Sequence, residues 1–260
     1  MLMKRFCPLR LPGAVLVALL LAGVGPLFAQ VPGLSGGAGG MNGAMIALFG
    51  SNTTFSARAE FIVLDRNQKE TENMPLNYSF SNGKMRMDVD LGQFKSTEAS
   101  AQFLPTLKRL GMDQTIVIAR PDRKVTWSIF PRVKAYAETP MTKEEISAQA
   151  ASYKFDKTPE GRETVDGHDC AKFKVTLTTT KAEKTEATQA TVWSASDLRS
   201  FPIQMQMAID ADSTMVIKFR DVKLAPQEDG QFEVPGALTK YDSAEALLEV
   251  LAKRPAAAAQ

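Results

Sequence analysis

Histidine and cysteine are nearly missing from this chain: among 260 residues there is one histidine, His168, and two cysteines, Cys7 and Cys170. A structural zinc site takes four nitrogen or sulfur ligands, so these residues are too few to build one. Cys7 falls in a leader segment described below, which leaves Cys170 without an intramolecular partner. An exported domain of this kind must be stabilised by its core and not by disulfides. Charge of one sign is lacking too. Removing Lys4, Arg5 and Arg10 with the leader leaves 28 basic against 29 acidic residues, a formal net charge of −1. Such a balance gives no electrostatic reason to bind nucleic acid or an anionic membrane surface. Phosphate-binding loops, dinucleotide fingerprints and metalloprotease helices are absent, so the sequence implies no cofactor.

Long apolar runs are confined to the N-terminus. A basic front at Lys4, Arg5 and Arg10, an apolar run Ala14–Val24 and the small residue Ala29 describe a signal peptide over residues 1–29. The run is too short for a membrane span, and none is expected after cleavage. Val24 stands where a lipoprotein box would carry its acylated cysteine, so lipidation there has no attachment atom. Residues 30–43 are Gly-rich and read as a flexible tether. The Gly33-Leu34-Ser35-Gly36-Gly37 string matches a nucleophile elbow in letters only, because no strand precedes it and no helix follows. Residues 44–254 are expected to form one domain, and residues 255–260 a frayed tail.

Within the domain the hydrophobic period is two. Phe55, Ala57, Ala59, Phe61 and Val63 alternate with polar residues, as do Met74, Leu76, Tyr78 and Phe80, then Met85, Met87, Val89 and Leu91. Asn82-Gly83 and Asp166-Gly167 carry the turn chemistry of tight hairpins. Further strands are expected at Gln114–Ala119, Val125–Phe130, Arg162–Val165, His168–Leu177, Ala187–Ser194, Pro202–Ile209 and around Met215–Phe219. Ala99, Phe103, Leu107 and Leu110 instead fall at helical spacing, predicting a helix over 96–110 that Pro105 kinks and Gly111 ends. A short apolar helix is expected over Met41–Phe49. Capping boxes at Thr142-x-x-Glu145 and Asp242-x-x-Glu245 predict two more helices, the second carrying Leu247, Leu248 and Leu251. About ten strands with two or three helices imply a mainly β domain: a single strongly curved antiparallel sheet, or incomplete barrel, covered by the helices. A β sandwich is the alternative.

Gly161, Glu163, Val165, Gly167, Cys170, Lys172 and Phe173, followed by Trp193, Asp197, Phe201, Pro202 and Ile203, resemble the signature of an exported bacterial family of unknown function. That family is similar in expected shape to the periplasmic lipoprotein carriers LolA and LolB. The resemblance implies a LolA-like half-barrel under a helical lid, a periplasmic or secreted location, and a lipid or lipoprotein as partner.

Met74, Met85, Met87, Met205, Met207 and Met215 all occupy apolar strand positions. Flexible thioethers suit variable apolar partners, although they also fill ordinary cores. With Phe103 and Leu107 from the expected helix they form the candidate ligand surface. The expected function is therefore non-enzymatic binding of an apolar ligand by a carrier or sensor. The alternative is a structural or interaction module docking on an envelope protein. His168 and Cys170 lie two apart on a strand, too far apart for a direct nucleophile–base hydrogen bond, and they supply two metal ligands at most. No catalytic residue and no metal site is assigned. Cys170, beside Lys172 and Lys174, is the redox candidate. Asn52-Thr53-Thr54 and Asn77-Tyr78-Ser79 match the glycosylation acceptor, which has meaning only in a eukaryotic secretory route.

Overall fold

The computed structural model describes residues 43–96, 104–143, 145–146, 153–181 and 184–253. The leader and tether therefore lie outside the described residues, as does Phe103. Thirteen strands form one sheet: β1 (Thr54–Asp65), β2 (Glu70–Ser81), β3 (Lys84–Asp90), β4 (Lys95–Ser96), β5 (Gln114–Arg120), β6 (Val125–Phe130), β7 (Ala135–Pro140), β8 (Tyr153–Val165), β9 (His168–Lys181), β10 (Lys184–Ala195), β11 (Phe201–Ala208), β12 (Ser213–Lys223) and β13 (Thr239–Tyr241). Their spatial order is β13-β7-β6-β5-β3-β2-β1-β12-β11-β10-β9-β8, with β4 paired to β2. One open sheet, and not the two of a sandwich, carries the domain. All pairs are antiparallel except β13 with β7. Short helices among the described residues include α1 (Gly43–Leu48), α2 (Leu104–Arg109) and α3 (Ala244–Ala252).

The local chemistry explains the hairpins. Asn82 and Gly83 have φ of 48° and 86°, and Asp166 and Gly167 have 49° and 84°. Both central residues of a type I′ turn need this left-handed region, which Asn, Asp and Gly tolerate best. Asp65 closes the β1–β2 turn by accepting from the backbone N–H groups of Asn67 and Lys69 at 2.8 and 2.9 Å.

The expected helix over 96–110 is described only in part. Lys95–Ser96 pairs as β4, Leu104–Arg109 is helical as α2 with Pro105 inside it, and residues 97–103 lie outside the described residues. Gly111, at φ 72°, ends that helix as expected. The Thr142/Glu145 capping box forms reciprocally, with bonds of 2.6 and 3.1 Å. At the C-terminus the cap is Ser243 and not Asp242: its hydroxyl accepts from Ala246 N at 3.1 Å. The polar stretch between Thr178 and Glu186 does not interrupt the sheet either. It holds the ends of β9 and β10, and β8 begins at Tyr153, nine residues ahead of the expected start at Arg162.

Burial divides the sheet into two unequal faces. The larger core lies on the concave side. It gathers Phe55, Phe61, Tyr78, Phe80, Val117, Ile203, Ile217 and Phe219 from the strands with Phe49, Leu107, Leu247, Leu248 and Leu251 from the helical segments. A smaller cluster of Ile118, Trp127, Ile129 and Phe232 lies on the opposite face of β5 and β6. At one end the sheet folds back on itself: Arg220 of β12 bonds Asp166 at the β8–β9 turn at 2.6 Å, although β10 and β11 separate β12 from β9 in the sheet.

Candidate functional site

The strand register places the six strand methionines together. Tyr78 faces Met87 and Phe80 faces Met85 across β2 and β3, Phe61 faces Met74 across β1 and β2, and Met207 faces Met215 across β11 and β12. Met205 pairs with Ile217, itself opposite Phe61. Because side chains alternate with period two, these residues share the concave face. Met74, Met85, Met87, Met205 and Met215 are buried there, Met207 is half-buried, and Leu107 joins them from α2.

What covers this face is modest. Phe49, the residue after α1, stands among the rings of Phe55 (4.7 Å between centroids), Phe201 (5.5 Å), Phe219 (5.6 Å), Phe80 (6.0 Å) and Tyr78 (6.4 Å). Leu247, Leu248 and Leu251 of α3 close the region near β7 and β13. Among the described residues no second sheet lies over the methionines, and Phe49 with α2 and α3 packs on the concave surface. Periodicity could mark Phe49 as apolar, but nothing local shows that a residue outside the sheet would sit at the centre of an aromatic cluster.

The β8–β9 hairpin carries the other candidates. Lys172 Nζ donates to Glu163 Oε1 at 2.7 Å, and Trp193 Nε1 donates to Glu163 Oε2 at 2.8 Å. The Lys172 ammonium also lies 5.1 Å from the centroid of the Trp193 ring. The bond from Lys172, reinforced by that from Trp193, holds the Glu163 carboxyl below its ordinary range, and Glu163 in turn raises Lys172. Three signature residues thus form a charge-assisted brace across β8, β9 and β10. Gly161, at φ 120°, sits at the β8 irregularity that adjusts the register of this brace.

Cys170 lies on the same side of β9 as His168 and Lys172, yet it is fully buried. The 3-10 turn 196–198 packs over that part of β9. Burial raises the thiol pKa, and the nearby Asp169 and Asp197 add to the rise. Lys172, which was expected to activate the thiol, is committed to Glu163. Cys170 Sγ donates to the carbonyl oxygen of His168 at 3.5 Å, while His168 Nδ1 lies 2.8 Å from Asp197 Oδ2. The imidazole and the thiol are therefore separately occupied, and a nucleophile–base pair is not assembled. Among the described residues no group of three or more His, Cys, Asp or Glu side chains could hold a metal ion. Outside the sheet, Lys172, Lys174, Gln189, Thr191, Trp193 and Gln206 border a shallow polar groove.

A third cluster, on the convex face, has no counterpart in the sequence reading. Residues 224–238 lead from β12 to β13 and run across the outside of the sheet. Thr54 Oγ1 of β1 donates to Ala225 O at 3.1 Å, Lys84 of β3 pairs with Asp229, and Arg86 Nη1 donates to Gln231 O at 2.9 Å. Phe232 then enters the smaller apolar cluster. Beside it the buried Arg120 donates to the carbonyl oxygen of Phe232 at 3.1 Å, to both oxygens of Asp122 and to Glu233. Arg123 completes the pair with Glu233 at 2.8 Å and lies 5.6 Å from the Trp127 ring. Arg120, Pro121, Asp122, Arg123 and Lys124 make the turn between β5 and β6, closed by bonds from Arg123 N to Arg120 O and from Lys124 N to Pro121 O. Folded, the turn is one half of a clamp whose other half lies more than a hundred residues downstream.

No helix among the described residues is long and apolar enough to cross a membrane. A comparison with curated proteins gives no match. Among solved structures, a LolA superfamily protein from Nitrosomonas europaea aligns over 76% of this chain and 97% of its own, at 10% identity and a TM-score of 0.38. Lipoprotein LppX from Mycobacterium tuberculosis aligns over 82% and 99%, at 11% identity and a TM-score of 0.36. Likenesses this distant transfer no ligand. Residues 63–214 match the DUF4412 family, a domain of unknown function, and this span runs from the end of β1 to the start of β12. It includes the Glu163–Lys172–Trp193 brace and most of the methionine face, and on that match the chain belongs to the DUF4412 family.

Proposed function

We propose that this protein is an exported, non-enzymatic carrier or sensor that takes an apolar ligand such as a lipid or lipoprotein acyl chain on its concave face. The carrying observation is the way that face is closed. Met74, Met85, Met87, Met205, Met207 and Met215, with Leu107 from α2, share a surface that, among the described residues, is covered by short segments and not by a second sheet. Displacing Phe49 and α3 leaves the thirteen-strand sheet and its hydrogen bonds in place. Methionine side chains re-pack at little cost, which suits a surface that must serve both with and without ligand. The signal-like leader, residues 1–29, directs such a protein out of the cytoplasm.

Native mass spectrometry of protein purified from the periplasm, followed by titration with a fluorescent fatty acid, tests the reading. Co-purified lipid mass, or saturable uptake at one site, is the expected result. Protein that is always ligand-free and takes up no probe would refute it.

A further inference from the structure

Among the described residues, the concave face holds a buried polar group that its packing leaves unpaired. Tyr78 lies near the C-terminal end of β2 and is fully buried. Its ring centroid is 5.6 Å from that of Phe55, 6.0 Å from Phe219 and 6.4 Å from Phe49, and its cross-strand neighbours are Ala57 and Met87. Among the described residues the phenol oxygen has no hydrogen-bond partner. A phenylalanine would fill nearly the same space without desolvating a hydroxyl, as Phe55 and Phe80 do beside it. A buried hydroxyl with no partner destabilises the protein that carries it. Its direction is also set. Buried side chains stand roughly perpendicular to a sheet, so the hydroxyl is the part of Tyr78 farthest from β2, on the side where Phe49 and the helices cover the face.

We infer that Tyr78 is the polar contact of the ligand site, and that the ligand is an amphiphile whose neutral carbonyl oxygen, as in an ester-linked acyl chain, accepts a hydrogen bond from Tyr78 Oη. This inference rests on the apolar-ligand reading above and adds the chemistry at one atom. Neutrality follows from the surroundings: among the described residues the one buried cation is Arg120, which lies on the opposite face against Phe232, so none is buried on the concave side to balance a carboxylate. Burial pushes the Tyr78 phenol well above its ordinary pKa, so it remains a donor at every pH the folded protein meets. Phe49 is the group that must give way, since it belongs to the segment after α1 and not to the sheet.

The test compares the full chain with Tyr78→Phe, using methyl palmitate, palmitate and hexadecane as competitors against a bound fluorescent probe. The wild-type protein should prefer the methyl ester to both palmitate and the alkane. In Tyr78→Phe its preference for the ester over the alkane should fall by about 5- to 10-fold, the usual worth of one neutral hydrogen bond. The unliganded variant should melt no lower than wild type, because an unpaired hydroxyl has been removed. Infrared spectra of a ¹³C-carbonyl ester bound to wild type give a second readout, independent of the variant's folding. The carbonyl stretch should lie at its hydrogen-bonded frequency. An unchanged ester-to-alkane ratio in Tyr78→Phe, a free-carbonyl frequency, or tighter binding of palmitate than of its ester would each overturn the assignment while leaving apolar binding intact. Failure of all three competitors would remove the apolar-ligand reading itself.

Discussion

Replacing Arg120 with alanine tests whether the segment 224–238 is held on the convex face by charge. The Arg120 side chain is only 7% exposed, whereas those of its partners Asp122 and Glu233 are 53% and 39% exposed. Removal of one partner from a fully buried ion pair costs about 3–5 kcal/mol, because the other charge is stranded. Here water reaches both carboxylates once the guanidinium has gone, so that full penalty does not apply. What is lost is the bond to the Phe232 carbonyl oxygen, the solvent-screened charge-assisted bonds to Asp122 and Glu233, the contact with Trp127 at 5.9 Å and the packing of the aliphatic stem. Together these amount to about 2–4 kcal/mol. For a domain of this size the melting temperature should fall by about 5–12 °C.

Thermal unfolding followed by circular dichroism, measured from pH 7 to pH 2, reads the effect. The hydrogen bond from Arg120 lowers the Asp122 pKa from 3.8 to about 2. A depressed carboxylate contributes stability that is complete above its unfolded-state value and lost as pH falls through its folded-state value. The gap between wild type and Arg120→Ala should therefore hold constant from pH 7 to pH 5, then narrow between about pH 4 and pH 2. A variant melting within about 1 °C of wild type, or a gap that widens in acid, would refute the clamp.

Three further expectations concern other parts of the fold. Cys170 should be unreactive to a thiol reagent in the native protein and label fully once denaturant is added, because burial both shields the thiol and disfavours the thiolate; rapid native labelling would contradict this. Ser243→Ala removes the N-cap of α3 and should cost about 1 kcal/mol, with faster hydrogen exchange confined to that helix and faster probe release if α3 covers the ligand. Gly167→Ala meets no neighbouring atom within 4 Å but must hold φ at 84°, so about 1–2 kcal/mol of backbone strain should appear in denaturant titration, whereas a neutral result would deny the turn its left-handed geometry.

Much of the candidate site was legible in single strands. Alternation at Met74–Phe80, at Met85–Val89 and at Ile203–Met207 states which side chains share a face, since a strand turns each successive residue to the opposite side. It does not state which strands meet. β1 pairs with β12, about 150 residues later, and that pairing brings Phe61 and Ile217 together. No local pattern encodes a contact at that separation. Cys170 illustrates the same limit: its neighbours in sequence, His168, Lys172 and Lys174, give it a polar setting, and a turn 26 residues downstream buries it.

The sequence by itself determined the class of fold and its punctuation. Period-two runs, Asn82-Gly83, Asp166-Gly167 and the Thr142/Glu145 box each act within a few residues, where backbone sterics and nearest hydrogen bonds decide the outcome. Only the tertiary structure decided that Phe49 seals the concave face, that Tyr78 lies there with its hydroxyl unpaired, and that Arg120 clamps Phe232 on the outside. These features depend on distant chain segments competing for the same apolar surface, and only the assembled sheet sets which segment wins.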